Sequence, residues 1–218
     1  MLEFHNVEVY DLKESIIASR NAMRLDMPDY DSQEEFEKGL KRAKVLAKAG
    51  GGSGHSSFRK GIRVAFDMKY TQYITKQFQR YHWFEYVTSS SLMHRITKMD
   101  FSKCVNKYVS RQTIEKMNEL IAEYNRFEQE KTEEWVFYLN EGRYEAKTHQ
   151  DVMYTQFMII ISECPMGAEL FVRVSTNYEQ LATIAKQREH HKLKEDYAAF
   201  MEMVRNLPYG KELILCEE

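Results

Sequence analysis

A change of side-chain period within the first third of the chain constrains its fold more than any other feature. In IRVAFDMKY, Ile62, Val64, Phe66 and Met68 alternate with polar residues, the pattern of a half-buried strand over residues 61–69. In YTQYITKQFQRY, which follows at once, Tyr70, Tyr73, Ile74, Phe78 and Tyr81 share one helical stripe. A chain that passes from strand to helix in this way belongs to the mixed classes, and its other segments set the balance.

Those segments are mostly helical. Leu2, Phe4, Val7 and Val9 suggest a short opening strand, and LKESIIASRNAMRL after Asp11 reads as a helix. Ser32 and Glu35 form a capping box ahead of EEFEKGLKRAKVLAKA, a helix that Gly50–Gly52 stops. GGGSGHSS then reads as a flexible loop whose glycines permit close backbone approach; no GKS or GKT follows, so it is not a Walker loop. After Ser110, residues Ile114, Met117, Leu120, Ile121, Tyr124 and Phe127 keep helical spacing, and EEWVFYLNEGRYEA reads as the end of that helix and a turn. HQDVMYTQFMIIISEC predicts a buried helix ending before Pro165, and Ala168 to Ser175 a strand. NYEQLATIAKQRE predicts a helix capped by Asn177 or Thr176, and LKEDYAAFMEMVRNL a last helix before Pro208. The sum is an α+β fold in one domain, helices dominating.

Composition narrows the function. Of 218 residues, 43% are hydrophobic, enough for one sizeable core. Lys+Arg 31 against Asp+Glu 33 gives a formal charge of -2, so no global field favours nucleic acid or an acidic membrane. Direct nucleic-acid binding is not expected, and any anion site must be local. Three well-separated cysteines, Cys104, Cys164 and Cys216, form neither a disulfide framework nor a metal pair, which points to a reducing compartment. The opening residues lack the pattern of a signal peptide, and the apolar run Met158 to Ile161 is too short to span a bilayer. A cytoplasmic protein is expected.

Seven histidines raise the question of a metal, but His190 and His191 are adjacent and project roughly 100° apart on a helix. No HExxH or related spacing occurs, so no metal site is expected. No GxSxG elbow or activated cysteine supports nucleophilic catalysis. The serines Ser89, Ser90 and Ser91, with Arg95 nearby, suit an anion better than covalent attack, and also suit a plain polar turn. Arg188 sits at a helix C-terminus, where a cation complements the dipole; a ligand-facing role for it or for Arg173 is equally compatible with the pattern.

Three separated segments together resemble the flavin-dependent thymidylate synthases. Gly54-His55-Ser56-Ser57, followed by IRVAFDMKY and YTQYITKQFQRYH, is similar to that family's Gly-His element, strand and helix. Arg80-Tyr81-His82 falls where the signature Arg-His-Arg-x-x-Ser-x-Asn-Glu-x-Ser-x-Arg begins, and Ser90 or Ser91 near its closing Ser-x-Arg. STNYEQLATIAKQREHH is similar to the family's late helix, with Asn177 at a flavin-contacting position and Arg188 at that of the arginine holding the uracil ring. The resemblance covers residues 54–95 and 164–206.

What the resemblance implies is specific. The fold would be one α+β domain with a small, mainly antiparallel sheet, assembled as a homotetramer binding FAD between subunits. Flavin would meet His55, Ser57, Arg80, Tyr81, His82, Trp83 and Asn177. A dUMP-like pyrimidine nucleotide would meet Gln77, Arg80, Ser89, Ser90, Ser91, Arg95 and Arg188, with Arg188 polarising the ring. Methylenetetrahydrofolate and NADPH would be co-substrates, the reduced flavin delivering the one-carbon unit and hydride to C5 with no protein nucleophile. Several positions depart from the signature: Tyr81 replaces its histidine and His82 its second arginine. Glu85, Val87 and Thr88 stand for Ser, Asn and Glu, Leu92 for the closing arginine, and Ile161 for an arginine ahead of the proline. Lost phosphate-binding arginines leave open a divergent flavoenzyme acting on another pyrimidine nucleotide, or a non-catalytic nucleotide-binding or assembly protein of the same fold.

Overall fold

In a computed structural model, residues 1–49 and 54–217 are described. Gly50–Gly52 and Ser53, the body of the expected flexible loop, lie outside them. The fold is α+β, helix-dominated, with a small antiparallel sheet. The chain packs as two compact units, one of residues 1–70, 74–89 and 171–218, the other of residues 71–73 and 90–170.

The first unit holds the four-stranded sheet. Strand β1 (Glu3–Tyr10) pairs antiparallel with β2 (Arg63–Thr71), and β3 (Glu85–Ser89) pairs antiparallel with β6 (Glu169–Asn177), in the order β1-β2-β6-β3. Opposite ends of the two central strands meet: Tyr178 N–H donates to the Ile62 carbonyl, and Gln72 N–H to that of Ala168. The central pair is therefore antiparallel too. Along β2, Val64, Phe66, Met68 and Tyr70 are buried, as their alternation predicts; Leu170, Val172 and Val174 do the same on β6. On the opposite face Arg173 donates to Asp67 at 3.3 Å and to the Asn6 carbonyl at 3.1 Å. Arg173 is thus spent on holding three strands together.

Helices close over the buried face. Helix α1 (Leu12–Ala18) inserts Ile16 and Ile17 and packs on α2 (Gln33–Lys48), which starts where expected: the Ser32 hydroxyl accepts from Glu35 N–H at 3.3 Å. The expected helix over residues 12–25 stops at Ala18. Past it Met23, Leu25 and Met27 are exposed, so no burial rewards further turns, and Arg20 and Arg24 instead form ion pairs with Glu35 of α2. Helix α3 (Gln72–Phe78) is also shorter than its stripe. Phe78, Phe66, Phe84, Phe200 and Tyr197 form an aromatic cluster, with Phe78 and Phe84 stacked at 4.7 Å. Helices α7 (Tyr178–Arg188) and α8 (Lys194–Asn206) and a π-helical turn (Lys211–Leu215) complete this unit.

The second unit begins with the single turn α4 (Leu92–Arg95) and is built on α5 (Arg111–Glu130) and α6 (His149–Glu163). They enclose Ile96, Met99, Phe101, Met117, Ile121 and Ile160. Between them, EEWVFYLNEGRYEA is not a helix end but a hairpin, β4 (Trp135–Leu139) with β5 (Gly142–Ala146), whose Phe137 and Ala146 pack on Phe127 and Val152. Leu139 pairs with Gly142, whose φ of +114° is glycine's territory and closes the two-residue turn Asn140–Glu141. Helix α6 is apolar on several sides, yet Tyr154 is exposed rather than buried. No helix of the described residues is long and apolar enough to cross a membrane.

Candidate functional site

Two predicted residues, Asn177 and Arg188, bound helix α7. Asn177 ends β6 in extended conformation, and its Oδ1 accepts from Gln180 N–H at 2.9 Å, so it is the N-cap. Asn177 is buried, and this oxygen has its partner within the chain. Eleven residues on, Arg188 closes the helix, half-buried.

Arg188 does not simply cap a dipole. Its Nε–H donates to the Tyr81 hydroxyl at 2.8 Å, and its guanidinium carbon lies 5.6 Å from the ring centroids of both Tyr81 and Tyr197. The Tyr81 hydroxyl in turn donates to Gln187 Oε1 at 3.1 Å. Among the described residues neither terminal nitrogen of Arg188 has a hydrogen-bond partner. The planar fork suited to a carbonyl or phosphate is left available. Burial pushes the Tyr197 phenol up to about 12, against the opposing pull of Arg188, so it is neutral at physiological pH. Burial and the adjacent charges of Arg188 and Lys192 hold the His191 imidazole below its usual value.

The structure places the signature segment 80–89 beside this helix but divides its residues by exposure. Tyr81 faces inward, 8% exposed, and Trp83 N–H donates to Gln180 Oε1 on α7 at 3.2 Å. Arg80 and His82 are exposed, and the Trp83 indole, 52% exposed, meets His82 edge-on at 4.8 Å. Arg80 makes no hydrogen bond or ion pair among the described residues. Gln77 is half-buried, Ser89 exposed at the end of β3. Ser90, Ser91 and Arg95 belong to the second unit, where the Ser91 hydroxyl caps α4 by accepting from His94 N–H. His55 and Ser57 are exposed on the loop and 3₁₀ turn that precede β2.

Sequence reasoning missed four residues that build this region. Gln187 and Tyr197 hold the Tyr81–Arg188 pair, as above. Arg59, 3% exposed, lies 3.6 Å from Glu179 in the first turn of α7, and the other Glu179 oxygen accepts from Ser56 Oγ at 3.0 Å. Only Glu179 carries a local signal, an acidic residue two after an N-cap. Between α7, α8 and the C-terminal turn lies an open cavity of about 1040 Å³, lined by Arg59, Glu179, Lys186, Arg188, Lys194 and Tyr197 among others. Its wall carries more positive than negative side chains. Among the described residues no group of three His, Cys, Asp or Glu side chains could hold a metal ion.

The fold is that of the flavin-dependent thymidylate synthases, the class that the Gly-His loop, the signature remnant and the Asn-to-Arg helix resemble. In particular, the chain is similar to a flavin-dependent thymidylate synthase of Helicobacter pylori complexed with FAD and dUMP, with a TM-score of 0.62 at 12% identity, over 99% of this chain and 100% of that one. A second structure of the Helicobacter pylori enzyme with FAD and dUMP gives 0.62 at 12% over 98% and 97%. A UMP/dUMP methylase from Streptomyces cacaoi bound with 5-Br dUMP gives 0.58 at 10% over 100% and 96%. No family model matches the sequence, and neither does any curated protein.

Flavin fits the residues present. The exposed Trp83 indole offers a stacking surface and exposed Arg80 an unneutralised charge. Tyr81 fits less directly, because its hydroxyl already serves Arg188 and Gln187.

Proposed function

We propose that this chain is a flavin-dependent methylase of a pyrimidine nucleotide, converting dUMP to dTMP by methylation at C5, with methylenetetrahydrofolate as carbon donor and NADPH as reductant, in a homotetramer. The observation that supports it most is Arg188: a cation set between two tyrosine rings with its terminal nitrogens uncommitted, at the end of the helix where the sequence resemblance implies a ring-binding arginine.

The chain's own residues then have defined tasks. Arg188 donates its fork to a ring carbonyl oxygen and stabilises the negative charge that grows there as C5 takes up carbon. Arg80, Gln77 and Ser89 are proposed to hold the nucleotide, Arg80 meeting its phosphate; the nucleotide role of Ser90, Ser91 and Arg95, which belong to the second unit, is proposed from the sequence resemblance alone. His55, Ser57, Arg80, His82, Trp83 and Asn177 would hold FAD, Asn177 through its amide nitrogen, since its oxygen caps α7. When bound, reduced flavin supplies the hydride that completes the methyl group.

A second reading, methylation of a different pyrimidine nucleotide, is favoured by one observation. His82 stands exposed, with Trp83 as its neighbour, where the signature has an arginine, so the charge offered to the ligand is smaller. Purified protein should be yellow and should methylate dUMP when given methylenetetrahydrofolate and NADPH. Colourless protein that also refuses added FAD would sink both readings. Flavin uptake with turnover of UMP or a cytidine nucleotide alone would select the second.

A further inference from the structure

We propose that Tyr81 is a positioning residue, whose hydroxyl sets the plane of the Arg188 guanidinium so that its two terminal nitrogens present a fixed fork to the ligand. This inference rests on the reading of Arg188 given above.

An arginine side chain reaches its ligand through several rotatable bonds, but its five donors lie in one plane. Anchoring Nε–H on Tyr81 at 2.8 Å fixes one edge of that plane, and the two ring contacts at 5.6 Å hold the cation against swinging away. Tyr81 is itself held. Its N–H donates to the Phe78 carbonyl at 3.0 Å, its ring packs against that of Phe78 at 6.5 Å, and the residue is almost wholly buried. Its hydroxyl proton is directed to Gln187 Oε1, one residue before Arg188, so an oxygen lone pair must face Nε–H. Both partners sit on the same turn of α7, and the clamp moves with the helix as one body. Tyr81 stands where the resembled signature has its histidine. This chain therefore uses that position for a different task, turned inward onto an arginine.

The experiment compares native protein, Tyr81→Phe, Arg188→Ala, the double variant and Tyr81→His, all full-length and flavin-loaded. Tyr81→Phe should keep flavin absorbance and melting temperature close to native while kcat falls about 10- to 100-fold, the scale of a misplaced catalytic group. KM for dUMP should change much less. Arg188→Ala in the Tyr81→Phe background should lose far less than in the native background, and Tyr81→His, whose ring nitrogen can accept from Nε–H, should recover part of the rate. Independently of turnover, the ¹⁵N spectrum should show an Arg188 Nε–H protected from exchange in native protein and unprotected in Tyr81→Phe. A native rate in Tyr81→Phe, or fully additive losses in the double variant, would overturn the inference while leaving the enzyme reading intact. A protected Nε–H in a native protein that neither turns over nor binds dUMP would overturn the enzyme reading and, with it, the positioning role.

Discussion

Arg59 and Glu179 meet 3.6 Å apart inside the first unit, and through them three distant segments are joined. The same guanidinium donates to the Ala47 carbonyl at the end of α2, at 2.8 Å, and contacts Cys216 Sγ in the C-terminal segment at 3.6 Å. Glu179 adds the first turn of α7 and, through Ser56, the Gly-His loop. The pair therefore sets how the loop before β2 sits on the helix that carries Arg188. Removing one partner of a buried ion pair strands the other, at a cost of about 3–5 kcal/mol. Arg59→Ala should lower chemical-denaturation stability by that order, and Arg59→Met with Glu179→Leu should restore much of it. If the single variant loses under about 1 kcal/mol, the pair is solvated and does not join these segments.

Asn177 caps α7 through Oδ1, and the flavin contact proposed for it would use the other end of its amide. Asn177→Asp keeps the capping oxygen and should leave the melting temperature close to native. Asn177→Ala should cost about 1 kcal/mol, the usual loss for a deleted cap. If the amide nitrogen also meets flavin, both variants should weaken FAD uptake in a titration followed by absorbance. Unchanged uptake in Asn177→Asp would reduce the residue to its cap.

The strand-to-helix handovers at β2–α3 and β6–α7 were legible because burial follows side-chain period, and the cap at Ser32, with that at Asn177 or Thr176, because capping is local chemistry. The β4–β5 hairpin was not legible in the same way. Its run Trp135-Val136-Phe137-Tyr138-Leu139 is continuously hydrophobic or aromatic, so period cannot separate strand from helix, and the only cue is the turn ending in Gly142. The site divides similarly. Arg188 is a candidate from a spaced motif, whereas its contact with Tyr81 spans 107 residues, which no local pattern encodes.

Gly39 sits inside α2, where a glycine costs helix stability, and the packing of α1 explains it. A Cβ there would stand 2.8 Å from the Ile16 carbonyl oxygen and 3.0 Å from the Ile17 Cα, both backbone atoms that cannot turn aside. Gly39→Ala should therefore destabilise by about 1–3 kcal/mol despite its better helix propensity, because α1 must move off α2. Thermal melts followed by circular dichroism would read this directly. A stabilised alanine variant would mean that α1 packs more loosely against α2 than these distances imply.

His191 carries the clearest pH dependence near the site. Its imidazole contacts the Tyr197 ring edge-on at 4.8 Å and accepts from Leu193 N–H at 3.2 Å through Nδ1, and burial, with the charges of Arg188 and Lys192, disfavours its protonation. Because its folded value lies below the ordinary 6.5, the unfolded chain takes up this proton first as pH falls. The stabilisation is therefore complete above that value and declines as pH drops through 6.5 toward the folded value. A His191→Gln variant, which cannot charge, removes this contribution. The melting temperature of native protein minus that of His191→Gln should be constant above about pH 7 and fall steadily below 6.5. A difference that stays flat down to pH 5 would show that the imidazole protonates without opposing Arg188, and would move the pH dependence of this region to other groups.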